Sequence, residues 1–156
     1  MRRIEQFNKD IRKYSNRVKK RVIVAQQEAC QKIAKDIRRG APVRTGAYRD
    51  SIKVSETYEL RGRVITRIYS TMTLGGDNPT WQKYPLARII ENGTKPHYIT
   101  PRNPEGILRW EDENGVHYAK WVWHPGTIAN PHWQRALLWN RDYYRKKINK
   151  AIKGKK

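Results

Sequence analysis

The chain of 156 residues is poor in cysteine, phenylalanine, acidic side chains and long apolar runs. Its single cysteine, Cys30, excludes an internal disulfide framework. The longest helical-type apolar run, Val22 to Ala25, is far shorter than the roughly 20 residues that a membrane span needs. Residues 1–5 lack the apolar segment of a signal peptide. The length and these absences predict one domain, made and kept in a cytosol-like compartment, with no membrane partner.

Positive charge is abundant and lies mainly at the two ends of the chain. The net charge is +20; residues 1–40 contain 13 basic and 4 acidic residues, and residues 130–156 contain 9 and 1. Residues 41–129 contain 12 basic and 9 acidic residues and are nearly neutral. Such a distribution favours a polyanionic partner, but charge alone does not separate DNA from RNA, a membrane or an acidic protein. The candidate contacts to DNA or an acidic partner are Arg12, Lys13, Arg17, Lys19, Lys20, Arg21, Lys146, Lys147, Lys150 and Lys153.

The N-terminal segment, residues 3–38, is predicted to form one long basic helix. Its apolar residues recur every three or four positions until Gly40 and Pro42 end the pattern. A helix of this length would span roughly 50 Å, so we expect its first half to leave the body and meet a neighbour. A kink at the β-branched run of residues 22–24 is the alternative.

The middle of the chain has the turn signals of antiparallel strands. Two β-prone runs, Ser51 to Glu59 and Gly62 to Ser70, predict a hairpin, and Asn114-Gly115 marks a second one between residues 107 and 123. Residues 71–85 are predicted to be a loop. Leu86 to Glu91 favours a helical turn.

The last segment, residues 130–156, is predicted to be a helix and a basic tail, with Asn130 and Pro131 at the helix start. The predicted fold class is therefore α+β, an antiparallel sheet of about four strands with an N-terminal and a C-terminal helix packed on it. Within this single domain, residues 1–39 are the long helix and residues 41–129 the β-rich body.

The sequence contains no recognisable pattern for catalysis or cofactor binding. The four histidines have no metal-ligand spacing, and the acidic cluster of residues 111–113 lies on a predicted hairpin tip. Gly75-Gly76 lacks the Lys-Ser/Thr that a phosphate-binding loop requires. We therefore expect no catalytic, metal or cofactor site and no enzymatic activity.

Four segments in order resemble the small neck or tail-completion proteins of long-tailed bacteriophages. They are residues 41–52 (APVRTGAYRDSI), 90–101 (IENGTKPHYITP), 121–127 (WVWHPGT) and 130–136, where proline opens the last helix. The corresponding family patterns are APV-x-TG-x-L-R-x-SI, E-x-GT, H-PG and P-x-x-x-x-A. The chain departs from the family at Arg44, where an acidic or small polar residue is common, and in its longer loop at residues 71–85.

The resemblance implies a structural subunit of a hexameric or dodecameric ring at the head–tail junction of the virion, assembled in the host cytoplasm. Its partners would be copies of itself, head-closure or connector proteins, tail-terminator or tail-tube proteins, and double-stranded DNA in the channel. Six Trp and nine Tyr suit such contacts, although some could cover a small core. The candidate subunit-interface residues are Glu91, Trp81, Trp121, Trp123 and Tyr98; for Glu91 the alternative is a surface carboxylate beside Arg88.

Two other functions remain open at this point. One is a tail-terminator ring, which fold and charge do not distinguish from a neck ring. The other is a free, sequence-nonspecific nucleic-acid-binding protein, with aromatic side chains stacked on bases. Composition favours the free nucleic-acid-binding protein. That function, however, predicts aromatic residues within the basic segments, whereas Trp81, Trp110, Trp121 and Trp123 lie in the neutral middle.

Overall fold

The computed structural model describes residues 2–74 and 84–154. Helices in these ranges are α1 (Arg2–Gly40), α2 (Ala47–Asp50), α3 (Leu86–Asn92) and α4 (His132–Lys153). Strands are β1 (Ile52–Val54), β2 (Tyr58–Leu60), β3 (Arg63–Ile65), β4 (Ile68–Ser70), β5 (Thr73–Leu74), β6 (Tyr84–Pro85), β7 (His97–Ile99), β8 (Leu108–Asp112), β9 (Gly115–Ala119) and β10 (Val122–His124). The chain divides into two compact units: the helical unit, Met1–Ala87 with His132–Lys156, and the β unit, Arg88–Pro131.

The core of the helical unit is the antiparallel pair formed by α1 and α4. The α1 side of the core is mostly small, with Ala25, Ala29 and Ala34 buried, so the two helices approach closely, and Ala136 of α4 is buried with them. The predicted long helix is confirmed, and it continues through residues 22–24 without a break. Within the described ranges, no helix combines the length and apolar character needed to cross a bilayer.

A bent hairpin of residues 51–70 packs beside α1. Strands β2 and β3 pair around Arg61-Gly62, both with positive φ, and β1 pairs with β4 farther from the turn. The guanidinium of Arg38 donates hydrogen bonds of 3.1 and 2.6 Å to the carbonyl oxygen of Ile52, whose side chain is fully buried. The predicted hairpin is confirmed, and its first strand is fixed to the helix pair.

The β unit contains the second predicted hairpin, β8–β9, around Asn114-Gly115, together with the antiparallel pair β7–β10. The predicted turn at residues 86–91 is confirmed as α3. Of the predicted loop, residues 75–83 lie outside the described residues, and its ends pair as β5 and β6.

The predicted α+β class is confirmed, with antiparallel strands and a helix at each end. The described strands nevertheless pair two by two, in five ladders, rather than in one sheet of about four. Proline is a physical reason for this in the β unit, where Pro96, Pro101, Pro104 and Pro125 lack the N–H that would extend a ladder.

The segments of the family resemblance meet in pairs. In the helical unit, the Tyr48 hydroxyl lies 3.0 Å from His132 Nε2 and accepts a hydrogen bond of 3.0 Å from Trp133 Nε1, which joins the first segment to the fourth. Gly46 directly precedes α2 with φ 82°, a left-handed value that glycine adopts without strain. In the β unit, Thr94 and Thr127 exchange two backbone hydrogen bonds of 3.1 Å, which join the second segment to the third. Each of the four segments thus takes part in a contact with another of them.

A polar cluster fixes the register of α1 against α4. The Asn140 side chain is buried; its amide group donates to the Asp36 carboxylate at 2.8 Å and its oxygen accepts from Lys32 Nζ at 2.6 Å. Lys32 also forms an ion pair of 3.0 Å with Asp36. The hydrogen bond from Asn140, followed by that from Lys32, lowers the pKa of Asp36 below its ordinary value.

Replacing Asp36 by Asn should weaken the fold in a pH-dependent manner. Because the folded-state pKa lies below that of the unfolded chain, the carboxylate stabilises the fold above about pH 5, and this contribution is lost as the pH falls through the lowered pKa. We expect a loss of ~1–3 kcal/mol at neutral pH that shrinks in acid, measured by urea unfolding. Asp142→Asn, at an exposed position of α4, is the control. A loss that does not vary with pH would contradict this assignment.

Candidate interaction surfaces

The first candidate surface is the N-terminal part of α1, which extends past the end of α4. Arg21 Nη2 donates a hydrogen bond of 3.3 Å to the carbonyl oxygen of Ile152, near the C-terminal end of α4. Lys19 is paired with Glu59 of the hairpin at 2.9 Å. Every residue from 3 to 17 is exposed. We call these 15 residues the projecting segment; at about 1.5 Å per residue the helix here is ~22 Å long.

The projecting segment has an apolar stripe along one face. The side chains of Ile4, Phe7, Ile11 and Tyr14 are 68%, 64%, 49% and 58% exposed. Their spacing of three, four and three residues continues through Val18 toward the residues of α1 that bury their side chains in the core. Four large apolar side chains in a row without cover identify a surface that suits a partner.

The basic candidate residues fall into two groups. Seven of them, from both ends of the chain, are exposed: Arg12, Lys13, Arg17, Lys20, Lys146, Lys150 and Lys153. The other three have partners inside the protein, because Lys19 pairs with Glu59, Lys147 with Glu28 at 2.5 Å, and Arg21 with a carbonyl oxygen. The hydrogen bond to Glu28 raises the pKa of Lys147.

Cations from the two ends of the sequence come together where α4 ends beside α1. A groove of about 520 Å³ is lined by Lys20 and Arg21 from α1 and by Lys147 and Lys150 from α4. The sequence placed these side chains on two separate helices; the antiparallel pairing brings them to one place. Several cations with only Glu28 among them as an opposing charge form a surface suited to a polyanion.

The β unit presents three of the predicted interface residues as one aromatic cluster. Tyr98 lies opposite Trp123 in the β7–β10 ladder, with ring centroids 4.7 Å apart, and Trp121 packs edge-on against Tyr98 at 5.3 Å. All three remain more than half exposed, at 61% for Tyr98, 59% for Trp121 and 51% for Trp123. Rigid, exposed aromatic groups of this kind are typical anchors of protein interfaces.

The other two candidate interface residues do not join this cluster in the described part of the structure. Glu91 lies on α3 and is half-buried, and Trp81 falls outside the described residues. Leu137 and Leu138, which are exposed on α4, were not predicted as interface residues. The signal that could have found them is the run Leu137-Leu138-Trp139, because three consecutive large apolar residues of a helix cannot all face one core.

An apolar groove of about 770 Å³ lies between α1, the hairpin and α4. Cys30, Ile33 and Ile37 form its floor, Ile68 one wall, and Leu137 and Leu138 belong to the opposite wall. Burial raises the pKa of the Cys30 thiol. The surface of the groove is mainly apolar, although Arg141 and Arg145 of α4 also line it.

The histidines form local hydrogen bonds. His97 Nδ1 is 2.8 Å from the carbonyl oxygen of Lys95, and His124 Nδ1 accepts from the backbone N–H of Gly126. His117 lies 2.9 Å from Asp112, and this contact lowers the pKa of the Asp112 carboxyl. Among residues 2–74 and 84–154, no three His, Cys, Asp or Glu side chains are placed to share a metal ion.

Comparison with known proteins gives one finding and two negative results. The model of the HK97-gp10-like family, described as "Bacteriophage HK97-gp10, putative tail-component", matches residues 5–93. That range contains nearly all of α1, the hairpin and α3. No curated protein and no solved structure matches the chain.

Proposed function

The chain belongs to the HK97-gp10-like family of bacteriophage tail components, and on this premise we propose that it completes the tail as one subunit of a ring at the head–tail junction. The family match is the observation that carries the proposal. The four resembling segments support the finer position, since they follow one another in the order found in neck and tail-completion proteins.

The exposed surfaces supply what a ring subunit needs. A ring forms when a surface of one copy binds a different surface of the next and the rotation between them closes. The chain has two unlike exposed surfaces, the apolar stripe of the projecting segment and the aromatic cluster. Copies of one subunit could use one surface for their neighbours in the ring and the other for the adjoining ring.

The position in the particle is the direct test of this proposal. We expect electron cryomicroscopy of virions to locate the chain in density of six-fold or twelve-fold symmetry between the head and the tail. Density only in the last ring of the tail tube would favour the tail-terminator alternative. Absence from particles, with the protein free in infected cells, would overturn the structural role.

Double-stranded DNA in the channel is the second proposed partner, and binding to it should depend on charge and not on sequence. Replacing Arg12, Lys13 and Lys20 by Gln should lower the slope of log affinity against log salt by up to about 3, since each phosphate contact contributes ~0.9. The matched control replaces Lys53, Arg63 and Arg67, which are exposed on the hairpin and give the same change in net charge. Equal slopes for the two variants, or a preference for one DNA sequence, would contradict this prediction.

Truncation of the aromatic cluster should impair joining while leaving the fold intact. Trp121→Ala or Trp123→Ala removes a side chain that is more than half exposed, so we expect little change in unfolding temperature. At an interface the same truncation costs ~2 kcal/mol or more, because such side chains are common hot spots. The measurement is the fraction of joined particles in micrographs. Tyr118→Ala, an exposed aromatic outside the cluster, is the control, and an equal defect there would argue against a special role for the cluster.

A further inference from the structure

We infer that the projecting segment of one copy seats its apolar stripe in the groove between α1, the hairpin and α4 of the next copy. This inference rests on the proposed ring and names the contact that would build it. Both surfaces lie in the helical unit, and both are exposed in the single chain.

The shape of the stripe indicates a groove as its partner. At 100° per residue, Ile4, Phe7, Ile11 and Tyr14 lie within an arc of about 80°. This arc is narrower than the roughly 100° or more with which a surface helix usually packs on a core, so the stripe suits a narrow groove. Anchors spaced at three and four residues are the pattern by which a helix binds a hydrophobic groove.

The groove has a matching lining. Its floor is the buried Cys30, Ile33 and Ile37, whereas Leu137 and Leu138 on its wall are 51% and 61% exposed. Docking would cover these two leucines and the four side chains of the stripe. It would remove from water most of the exposed large apolar side chains of α1 and half of those on α4.

The segment cannot fill the groove of its own chain. The floor of the groove is formed by residues 30–37 of the same continuous helix that carries the stripe at residues 4–14. A continuous helix cannot bring these two regions together, and the segment points away from the end of α4. The occupant must therefore be another molecule.

A second copy is the occupant that the chain itself supplies, because its projecting segment is an uncovered helix with apolar anchors that fit an apolar groove. Asp10 borders the stripe beside Phe7 and Tyr14, three and four residues away, and Gln6 donates hydrogen bonds of 3.1 Å to its carboxylate. Arg141 and Arg145 line the groove and would attract Asp10, whereas Arg3 and Arg17 border the same edge of the stripe and must stay in solvent. The overall charge of +20 opposes contact between copies, and salt should weaken that repulsion.

A contact of this kind uses different surfaces on the two partners. It can therefore repeat from copy to copy, and it closes into a ring when its rotation allows. Contact between two identical stripes would instead produce a closed pair.

Cysteine crosslinking of full-length chains distinguishes these arrangements. In a Cys30→Ala background, one chain carries Ile11→Cys and a second carries Leu137→Cys. Mild oxidation of the mixture at high salt should give disulfide-linked dimers at least tenfold above either chain alone. A chain with both substitutions should give a ladder of larger species, including in assembled particles. The control is Asn16→Cys mixed with Leu137→Cys, because residue 16 lies on the opposite side of the helix.

Two results would overturn the inference. Dimers of the Ile11→Cys chain alone would show stripe-to-stripe pairing, and yields no higher than the Asn16→Cys control would show that the groove has another occupant. Neither result bears on the position of the protein in virions, which electron cryomicroscopy measures separately.

Association of the unmodified chain provides a second readout that does not depend on cysteine. Sedimentation should show larger species as salt rises, because screening lowers repulsion while apolar contact persists. Phe7→Asp should abolish them, and Asn16→Asp, with the same charge change on the other face, should not. Salt-independent behaviour of the parent chain, or equal loss in the two variants, would count against docking through the stripe.

Discussion

Phage that lack this protein should accumulate DNA-filled heads and finished tails that do not join. The physical reason is that its proposed contribution is geometric: the paired helices form a body, the projecting segment reaches a neighbour, and the exposed cations face a polyanion. Removing such a subunit leaves packaging and tail growth untouched but leaves no surface on which the two structures meet. Electron microscopy of lysates measures the outcome directly, as counts of filled heads, free tails and joined particles.

Complementation sharpens this experiment. The full chain supplied in trans should restore joined particles, whereas a chain that begins at residue 18 should not, although it keeps the α1–α4 core. The truncated chain separates loss of the projecting segment from loss of the fold, because residues 3–17 are exposed throughout. Empty heads in the null mutant would place the protein in packaging and would refute the proposed role.

Replacing Gly126 by Ala should disrupt the β unit. Gly126 has φ 88°, and a Cβ atom there would lie 2.3 Å from the carbonyl oxygen of Thr94. The opposing Gly93, with φ 67°, would place its own Cβ 2.3 Å from the carbonyl oxygen of Thr127. The two segments are joined backbone to backbone, so neither can move aside without breaking the Thr94–Thr127 hydrogen bonds. We expect a cost of at least about 3 kcal/mol from strain and overlap together.

The effect should be local to residues 88–131. Amide hydrogen exchange should increase there, while the amides of the α1–α4 pair keep their protection. Gly115→Ala is the control, because Gly115 also has a positive φ, 115°, but its added Cβ would meet nothing within 4 Å. It should cost only the backbone strain, ~1–2 kcal/mol. Similar losses for the two variants would mean that the close approach of the two segments contributes little.

The sequence was informative wherever a local signal decides the structure. The spacing of apolar residues predicted α1, and the dipeptides Arg61-Gly62 and Asn114-Gly115 lie at the turns of the two predicted hairpins. Each of these features depends on residues close in the chain.

Long-range contacts were not accessible in the same way. Nothing in the spacing of Tyr98, Trp121 and Trp123 shows that they meet; that depends on the register of β7 against β10. The same holds for Tyr48 and His132, which are 84 residues apart. The periodicity of Ile4, Phe7, Ile11 and Tyr14 did not show that they are exposed, because a stripe that binds a partner has the same spacing as one that faces a core; only the length of the helix indicated that its first half leaves the body.

The uncovered stripe has a consequence for the timing of assembly. Ile, Phe, Asn, Asp, Tyr and Ser are modest helix formers, and they make up much of the projecting segment. A helix of about 15 residues without tertiary contacts is marginal in water, so this segment depends on propagation from residues 18–40 and unwinds first from its N-terminal end. Docking would stabilise it, so that ordering of the segment and attachment to a neighbour become a single cooperative step. Two copies that meet by chance would then bind weakly, because one projecting segment stays undocked. Only a closed ring would dock every projecting segment and keep every α1 helix folded to its N-terminal end.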